Sequence, residues 1–235
     1  ISDEAQLPYS RPMLTKLPLA FYEVEKTLVQ PESWYQEQCI TVLLRTKVLS
    51  MDAERKTVET SAGTFSYGKC IYAMGAHNFI PPFPGKDLSG VYSIRTDKDM
   101  NAIRRGSLLA SHAVVIGGGV IGLEMACYFA SIGTKVTVIE MLPKIAGSTD
   151  PEICELLMRT YKKQGMDFCL NARVEAVTDR SVVYSDASGR HEIACGRVLL
   201  SAGRRADVTG LNVEALSIAL ERGAVVTDRQ MRTNV

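Results

Sequence analysis

The sequence predicts an α/β fold built around a parallel sheet, and three observations lead to this prediction. A β-branched run at Val114–Ile116 enters a turn of three consecutive glycines. A helical pattern follows, and then a second strand-like run at Lys135–Ile139. A further helix opens after Asp150 and is followed by a third apolar run at 166–170. Strands that alternate with helices in this way are typical of a parallel α/β sheet.

The glycines of the turn stand at G-x-G-x-x-G spacing, at Gly117, Gly119 and Gly122. This spacing between a strand and a helix is the fingerprint of a Rossmann-like dinucleotide site. Gly117 permits the tight turn, Gly119 lets a pyrophosphate approach the backbone, and Gly122 lets the helix pack closely on its strand. Val120 and Ile121 lie in the first helical turn, whose N–H groups and dipole favour an anion. All five residues are predicted to contact the nucleotide.

Glu140 ends the second strand, 18 residues after Gly122. A carboxylate at this place can accept hydrogen bonds from the adenosine ribose hydroxyls and repels a 2′-phosphate. Lys144 is the nearest cation in the sequence, and no arginine stands beside it. The sequence therefore predicts NAD rather than NADP, with an exposed strand-end acid as the alternative interpretation of Glu140.

Size and charge exclude several classes of function. The chain has 235 residues and a net charge of +1, so no general attraction to nucleic acid or to membranes is expected. No apolar run has the length of a membrane span, which is about 20 residues. The scattered cysteines and histidines show no metal-ligand spacing, so we expect buried, reduced thiols in a cytoplasmic protein and no metal site. The cysteines are Cys39, Cys70, Cys127, Cys154, Cys169 and Cys195.

The elements on either side of the glycine turn are shorter. Before it, the pattern predicts a short helix at 31–38, strands at 40–44, 48–51 and 70–73, a hairpin at 56–67, an extended loop at 80–85 and a helix at 96–105. After it, a helix capped by Asp150 and Pro151 is expected to bury Ile153, Leu156, Leu157, Thr160 and Tyr161. A β-meander covers 173–178, 181–185 and 191–194, and strands follow at 197–201 and 224–226.

Four segments in order resemble the flavin-dependent pyridine nucleotide-disulfide oxidoreductases. LPYSRPMLTK at 7–16 resembles the flavin-contacting segment of that family, and VVIGGGVIGLE at 114–124 resembles its NAD(H)-binding turn. YAMGAHNFIPPFPG at 72–85 resembles its A-T-G loop, with Met74 where Thr is usual. LLSAGRRAD at 199–207 resembles its G-R-x-P-N loop, with Ala206 where Pro is usual. Among these relatives, the sequence is most similar to ferredoxin and rubredoxin reductases and to NADH oxidases.

The resemblance implies two cofactors, NAD(H) and FAD, and a division into three parts. Residues 1–105 are expected to be part of an FAD-binding domain, 106–220 the NAD(H)-binding domain, and 221–235 the start of a returning FAD segment. The main FAD anchors of the family would lie outside this sequence. We therefore expect a fragment of the family fold that holds FAD weakly or not at all and is inactive alone.

The resemblance also implies roles for individual residues. Lys16 and Glu124 are the candidate catalytic residues, paired where nicotinamide and flavin would meet; the alternative for Glu124 is a solvated helix position. Arg11 would point toward FAD phosphate or ribose, and Pro12 toward its ring. Two glycines, Gly75 and Gly203, either let the chain pass close to a cofactor or are ordinary turn residues.

No cysteine stands in 8–16, where the disulfide-reducing branch of the family has its nucleophile. Because only a thiolate attacks disulfides, disulfide reduction is disfavoured. The leading hypothesis is an NADH-dependent flavoprotein reductase that passes electrons to a small carrier protein or to oxygen. Two alternatives stay open: the reductase part of a nitrite-reducing enzyme, and a non-catalytic NADH-sensing flavoprotein module.

Overall fold

The computed structural model describes residues 1–16, 23–108, 110–208 and 213–235. Within these ranges the chain forms two compact units. The first contains 1–10, 23–77 and the described part of 204–235. The second contains 11–16 and 78–203, apart from 109. The domain boundary expected from the sequence, between residues 105 and 106, lies inside the second unit. The second unit begins earlier because the strand at 91–93 pairs with the strand at 197–200.

The described residues form five α-helices, one 3-10 turn and fifteen short strands. The helices are α1 Met13–Lys16, α2 Glu32–Glu37, α3 Asp97–Ser107, α4 Val120–Ser131 and α5 Pro151–Lys163, and the 3-10 turn is Val24–Thr27. The strands are β1 Val48–Asp52, β2 Thr57–Thr60, β3 Gly63–Ser66, β4 Ala76–Asn78, β5 Val91–Ser93, β6 His112–Ile116, β7 Lys135–Ile139, β8 Met166–Cys169, β9 Arg173–Val177, β10 Ser181–Asp186, β11 Gly189–Ala194, β12 Arg197–Leu200, β13 Arg204–Ala206, β14 Leu220–Glu221 and β15 Ala224–Val225. No helix in this part of the chain is long and apolar enough to cross a membrane.

The first unit is built from small antiparallel groups of strands. Strands β1, β2 and β3 form a sheet in that order, and β14 pairs with β15. Strand β13 pairs with β4, and the tyrosine hydroxyl of Tyr72 donates a hydrogen bond to the carbonyl of Asp207 at 2.9 Å. The predicted hairpin at 56–67 is confirmed by β2 and β3.

The second unit has a five-stranded parallel sheet in the order β5-β12-β6-β7-β8. Its central strand, β6, is almost entirely buried, with Val114 and Val115 both at 0% exposure. Burial of each such side chain contributes about 1.5–3 kcal/mol. The predicted α/β class and its parallel sheet are therefore confirmed.

Two layers cover the parallel sheet. The antiparallel sheet β11-β10-β9 packs on one face through Val177, Val182 and Tyr184, which meet Val114 and Val198. Helices α3, α4 and α5 pack against β5, β6, β7 and β8. This arrangement leaves the carboxyl ends of the parallel strands as the edge at which a ligand can enter.

Two predictions about local structure are wrong, and the predicted inner face of α5 is confirmed only for Leu157 and Tyr161. Residues 40–44 and 70–73 are not strands, because neither run finds a partner strand among the described residues. The face of α5 that packs inward carries Cys154, Leu157, Met158 and Tyr161, while Ile153 and Leu156 are 49% and 61% exposed. By contrast, Thr96 and Asp99 form the predicted cap of α3, here as a complete capping box.

His112 opens β6 and contributes a testable pH dependence. Burial, and then the positive charge of Lys135, lower the pKa of His112 below its ordinary value of 6.5. Its ring also lies 3.0 Å from the hydroxyl of Thr137. Because the unfolded chain then binds more protons below about pH 6.5, stability is complete above that pH and falls as the pH decreases through it.

We expect the free energy of unfolding in urea to be lower at about pH 5.5 than at about pH 7.5, and His112→Gln to reduce that difference. His77, which is exposed, supplies a matched control in His77→Gln. An equal pH dependence in the His112→Gln variant and the unsubstituted protein would show that His112 does not contribute.

Candidate functional site

The glycine turn lies between β6 and α4, and its first glycine cannot be replaced without distortion. Gly117 has φ 108°, a conformation that favours glycine. A Cβ at this residue would lie 2.5 Å from the carbonyl oxygen of Ser201, the residue after β12. The hydroxyl of Ser201 donates to the carbonyls of Ile116 and Gly117, at 3.1 and 3.0 Å. The turn is therefore hydrogen-bonded to the residue that follows β12.

The other two glycines have opposite surroundings. A Cβ on Gly122 would lie 2.0 Å from the carbonyl oxygen of Gly117 and 2.5 Å from Oγ of Ser201, so this glycine sets the close packing of α4. A Cβ on Gly119 would meet nothing within 4 Å. The space in front of Gly119 is open, as the close approach of a phosphate requires.

Helix α4 presents its N-terminus to that open space. Gly119 is the N-cap and supplies no side-chain hydrogen bond, and the first helical residue, Val120, is 63% exposed. The first N–H groups of an α-helix have no partner within the helix, so those of Val120 and Ile121 are available to an anion.

Glu140 stands beside the turn. One of its carboxylate oxygens accepts a hydrogen bond from the N–H of Gly118 at 2.6 Å, and the other accepts one from the N–H of Leu142 at 2.8 Å. The carboxylate is therefore fixed at the edge of the turn, with further lone pairs available to hydroxyl donors.

A cavity of about 840 Å³ opens at the carboxyl ends of β6, β7 and β12, which is within the range of ligand pockets. These strands flank the point where the strand order reverses, the usual ligand position in open α/β sheets. Gly117, Gly119 and Glu140 line one side, and an apolar loop lines another. That loop contributes Phe79, Pro81, Pro82 and Phe83. Three of the residues predicted to contact the nucleotide, Gly117, Gly119 and Glu140, thus line one cavity.

The family of pyridine nucleotide-disulphide oxidoreductases matches residues 1–235 of the sequence. The chain belongs to this family. Members of this family use NAD(H) and FAD.

Individual relatives agree with this assignment. A rubredoxin-NAD(+) reductase of Pseudomonas putida is 33% identical over 239 residues, which cover 100% of this chain and 61% of the relative. A nitrite reductase [NAD(P)H] of Bacillus subtilis is 31% identical over 233 residues, which cover 97% of this chain and 28% of the relative. The crystal structure of a ferredoxin reductase from Rhodopseudomonas palustris has a TM-score of 0.91 at 27% identity, over 99% of this chain and 59% of that one. The chain thus spans about three fifths of the first and third.

Within this oxidoreductase fold, the expected ion pair between Lys16 and Glu124 is not formed. Helix α1 packs against α4, and the hydroxyl of Thr15 donates a hydrogen bond to the carboxylate of Glu124. Lys16 ends α1 and is exposed, and the described residues include no ion pair between it and Glu124. Lys16 and Glu124 still lie on neighbouring helices of one unit, α1 and α4. The residue before Lys16, Thr15, is the one that contacts Glu124.

The remaining predicted residues fall in different places. Arg11 donates from its guanidinium to the carbonyl of Arg95 at 3.0 Å, and Pro12 is exposed. Gly203 has φ 111°, lines the cavity and accepts a hydrogen bond from the N–H of Phe79 at 3.0 Å. Gly75 has φ 74° and belongs to the other unit, where its carbonyl accepts the N–H of Asp207 at 3.0 Å.

All six cysteines are free, and two of them, Cys39 and Cys70, are exposed rather than buried as expected. The described residues contain no group of three or more acidic, histidine or cysteine side chains that could hold a metal.

Three residues of this family member were missed by the sequence analysis. Thr15 lies three residues after Pro12, and Ser201 directly precedes Ala202 and Gly203. Their only indication in the sequence is that each lies beside a segment resembling the family. Arg173, at the start of β9, lines the cavity but belongs to no recognisable sequence motif. It shares the cavity with Glu140 only in the folded chain.

Proposed function

We propose that this chain is the NADH-binding portion of a flavin-dependent oxidoreductase, which passes hydride from NADH to FAD and electrons onward to a small carrier protein or to oxygen. One observation carries the proposal: Gly119 and the N-terminus of α4 open onto the same cavity that Glu140 borders. A dinucleotide needs this combination of an anion site and a ribose acceptor.

The residues present fit a dinucleotide. The open space at Gly119 admits the pyrophosphate, which the N–H groups of Val120 and Ile121 and the helix dipole would stabilise. The fixed carboxylate of Glu140 accepts ribose hydroxyls and disfavours a 2′-phosphate. Gly203, which lines the cavity, leaves room for the chain to approach the cofactor.

FAD, when bound, supplies the chemistry of hydride acceptance. We assign Lys16 and Glu124 to positioning the nicotinamide end and Arg11 and Pro12 to the flavin side; Gly75 is assigned a close approach of the chain to a cofactor. The support within this structure is the hydrogen bond from Thr15 to Glu124, which ties α1 to the helix of the glycine turn. A carboxylate held in this way keeps a fixed orientation toward its surroundings.

The names of the relatives support the proposed acceptors. A rubredoxin-NAD(+) reductase and a ferredoxin reductase both support a small electron-carrier protein as partner. The nitrite reductase relative, 31% identical over 97% of this chain, supports the second candidate: the reductase part of a nitrite-reducing enzyme.

Anaerobic mixing of the intact, FAD-loaded protein with NADH tests the proposal. We expect bleaching of the flavin absorbance with NADH and much slower bleaching with NADPH. Rubredoxin, ferredoxin, oxygen and nitrite, offered in turn to the reduced protein, identify the acceptor. An intact protein that binds NADH without reducing its flavin would contradict the oxidoreductase and favour the sensing module.

Glu124→Gln is expected to slow flavin reduction by at least about tenfold, since a positioned charge next to the reacting groups is lost. NADH affinity should remain within about twofold, because Glu124 does not line the cavity and is not one of the residues assigned to the pyrophosphate or the ribose. Lys16→Met should behave in the same way. Glu155→Gln, at an exposed position of α5, is the matched control. Unchanged rates in both test variants would remove these two residues from the mechanism.

A further inference from the structure

Arg173 brings a positive charge to the cavity that contains Glu140. The N–H of Ala172 donates to the carbonyl of Glu140 at 3.0 Å, and the N–H of Asn171 donates to that of Leu142 at 3.1 Å. The residues just before β9 are thereby hydrogen-bonded to the residues just after β7. Arg173 directly follows this contact, and both Arg173 and Glu140 line the cavity.

The guanidinium of Arg173 is available to a ligand. Arg173 is exposed, and within the described residues it forms no ion pair. The acid nearest in sequence that also lines the cavity, Glu175, is bound instead by Nε of Arg190 at 3.1 Å. Hydrogen bonds from Ser185 and Arg190 lower the pKa of Glu175, and the charge of Arg173 makes the smallest contribution. Arg173 is therefore not committed to Glu175.

We propose that Arg173 is a specificity-determining residue: it gives the adenosine end of the cavity a partner for a nucleotide 2′-phosphate, which the charge of Glu140 opposes. A guanidinium binds phosphate through two parallel hydrogen bonds, so it is the side chain best suited to this task. The preference for NADH then depends on the charge of Glu140 and not on the lack of a cation. This inference rests on the proposed function, because it assigns the ribose of the dinucleotide to Glu140.

Calorimetric titration of the intact protein with ADP-ribose and with 2′-phospho-ADP-ribose tests the inference. Neither probe carries nicotinamide, so neither can transfer hydride, and the readout is binding alone. The unsubstituted protein should prefer ADP-ribose. Glu140→Gln keeps an amide oxygen for the turn and should tighten binding of the phosphorylated probe by at least about tenfold.

Adding Arg173→Gln to Glu140→Gln should remove most of that gain. Arg173→Gln alone should weaken binding of the phosphorylated probe by about fivefold or more while changing ADP-ribose affinity less than about twofold. This single variant keeps the test valid if Glu140→Gln does not fold. Lys144→Gln, which removes a cation that does not line the cavity, should change neither affinity.

The outcomes separate the two proposals. If ADP-ribose fails to bind the unsubstituted protein, the proposed NADH site is wrong. If ADP-ribose binds and Arg173→Gln leaves the affinity for the phosphorylated probe unchanged in both backgrounds, only the role of Arg173 is overturned.

Discussion

Gly122→Ala is expected to lower the free energy of unfolding by about 2 kcal/mol, although alanine is the better helix former by about 1 kcal/mol. The added Cβ would lie 2.0 Å from the carbonyl oxygen of Gly117, a backbone atom that cannot rotate away. Helix α4 must therefore move from β6, and the turn must change shape. Urea unfolding measures the stability, and calorimetric titration with NAD+ measures the loss of binding.

Gly106→Ala in α3 is the control for this substitution. Its Cβ would meet the hydroxyl end of Tyr92 at 2.1 Å, and a side chain can swing aside. We expect Gly106→Ala to cost less than about 1 kcal/mol, since the gain in helix propensity offsets part of the repacking. A Gly122→Ala variant that is more stable than the unsubstituted protein would show that the close packing of α4 is not required.

Gly119→Asp is expected to weaken NAD+ binding by at least about 30-fold, equivalent to about 2 kcal/mol, without loss of stability. Gly119 has φ −75° and ψ 177°, which any residue adopts, and open space lies around its missing Cβ. Aspartate is also a better N-cap than glycine. The side chain would occupy the space proposed for the pyrophosphate and place a negative charge there.

Gly119→Asn separates the effect of size from that of charge. Asparagine has nearly the same shape and is an equally good N-cap, so its melting temperature should match that of the aspartate variant. Its loss of affinity should be smaller, because no charge opposes the pyrophosphate. Unchanged NAD+ affinity in the aspartate variant would show that the nucleotide does not approach Gly119.

The centre of the second unit was predictable because its signals are local. The conformation of each of its segments follows from the residues of that segment itself. The structure confirms the strand at Val114–Ile116, the glycine turn that leads into α4, and the strand at Lys135–Ile139. The caps by Thr96 and Asp150 are equally local, since each side chain accepts from a backbone N–H within three residues.

The incorrect predictions depend on distant partners. The run at 70–73 is apolar, yet Ile71 is 91% exposed, because a strand needs a neighbour that sequence alone does not name. In α5 the buried face is centred on Cys154 and not on Ile153 and Leu156 as predicted. Cys154 is buried because of the residues that pack against the helix, which the sequence of the helix does not specify. Arg173 was missed for the same reason, because it reaches the cavity only in the folded chain, where the residues just before β9 hydrogen-bond to those just after β7.

The two hydrogen bonds that fix Glu140 have an evolutionary consequence. The same carboxylate oxygens that would select the cofactor also hold the backbone at Gly118 and Leu142. A lineage that changed its cofactor by replacing this acid would in the same step lose the hydrogen bonds that hold the backbone at Gly118 and Leu142. Laboratory selection for NADPH use should therefore recover paired changes, one at Glu140 and a compensating one that stiffens the loop after β7.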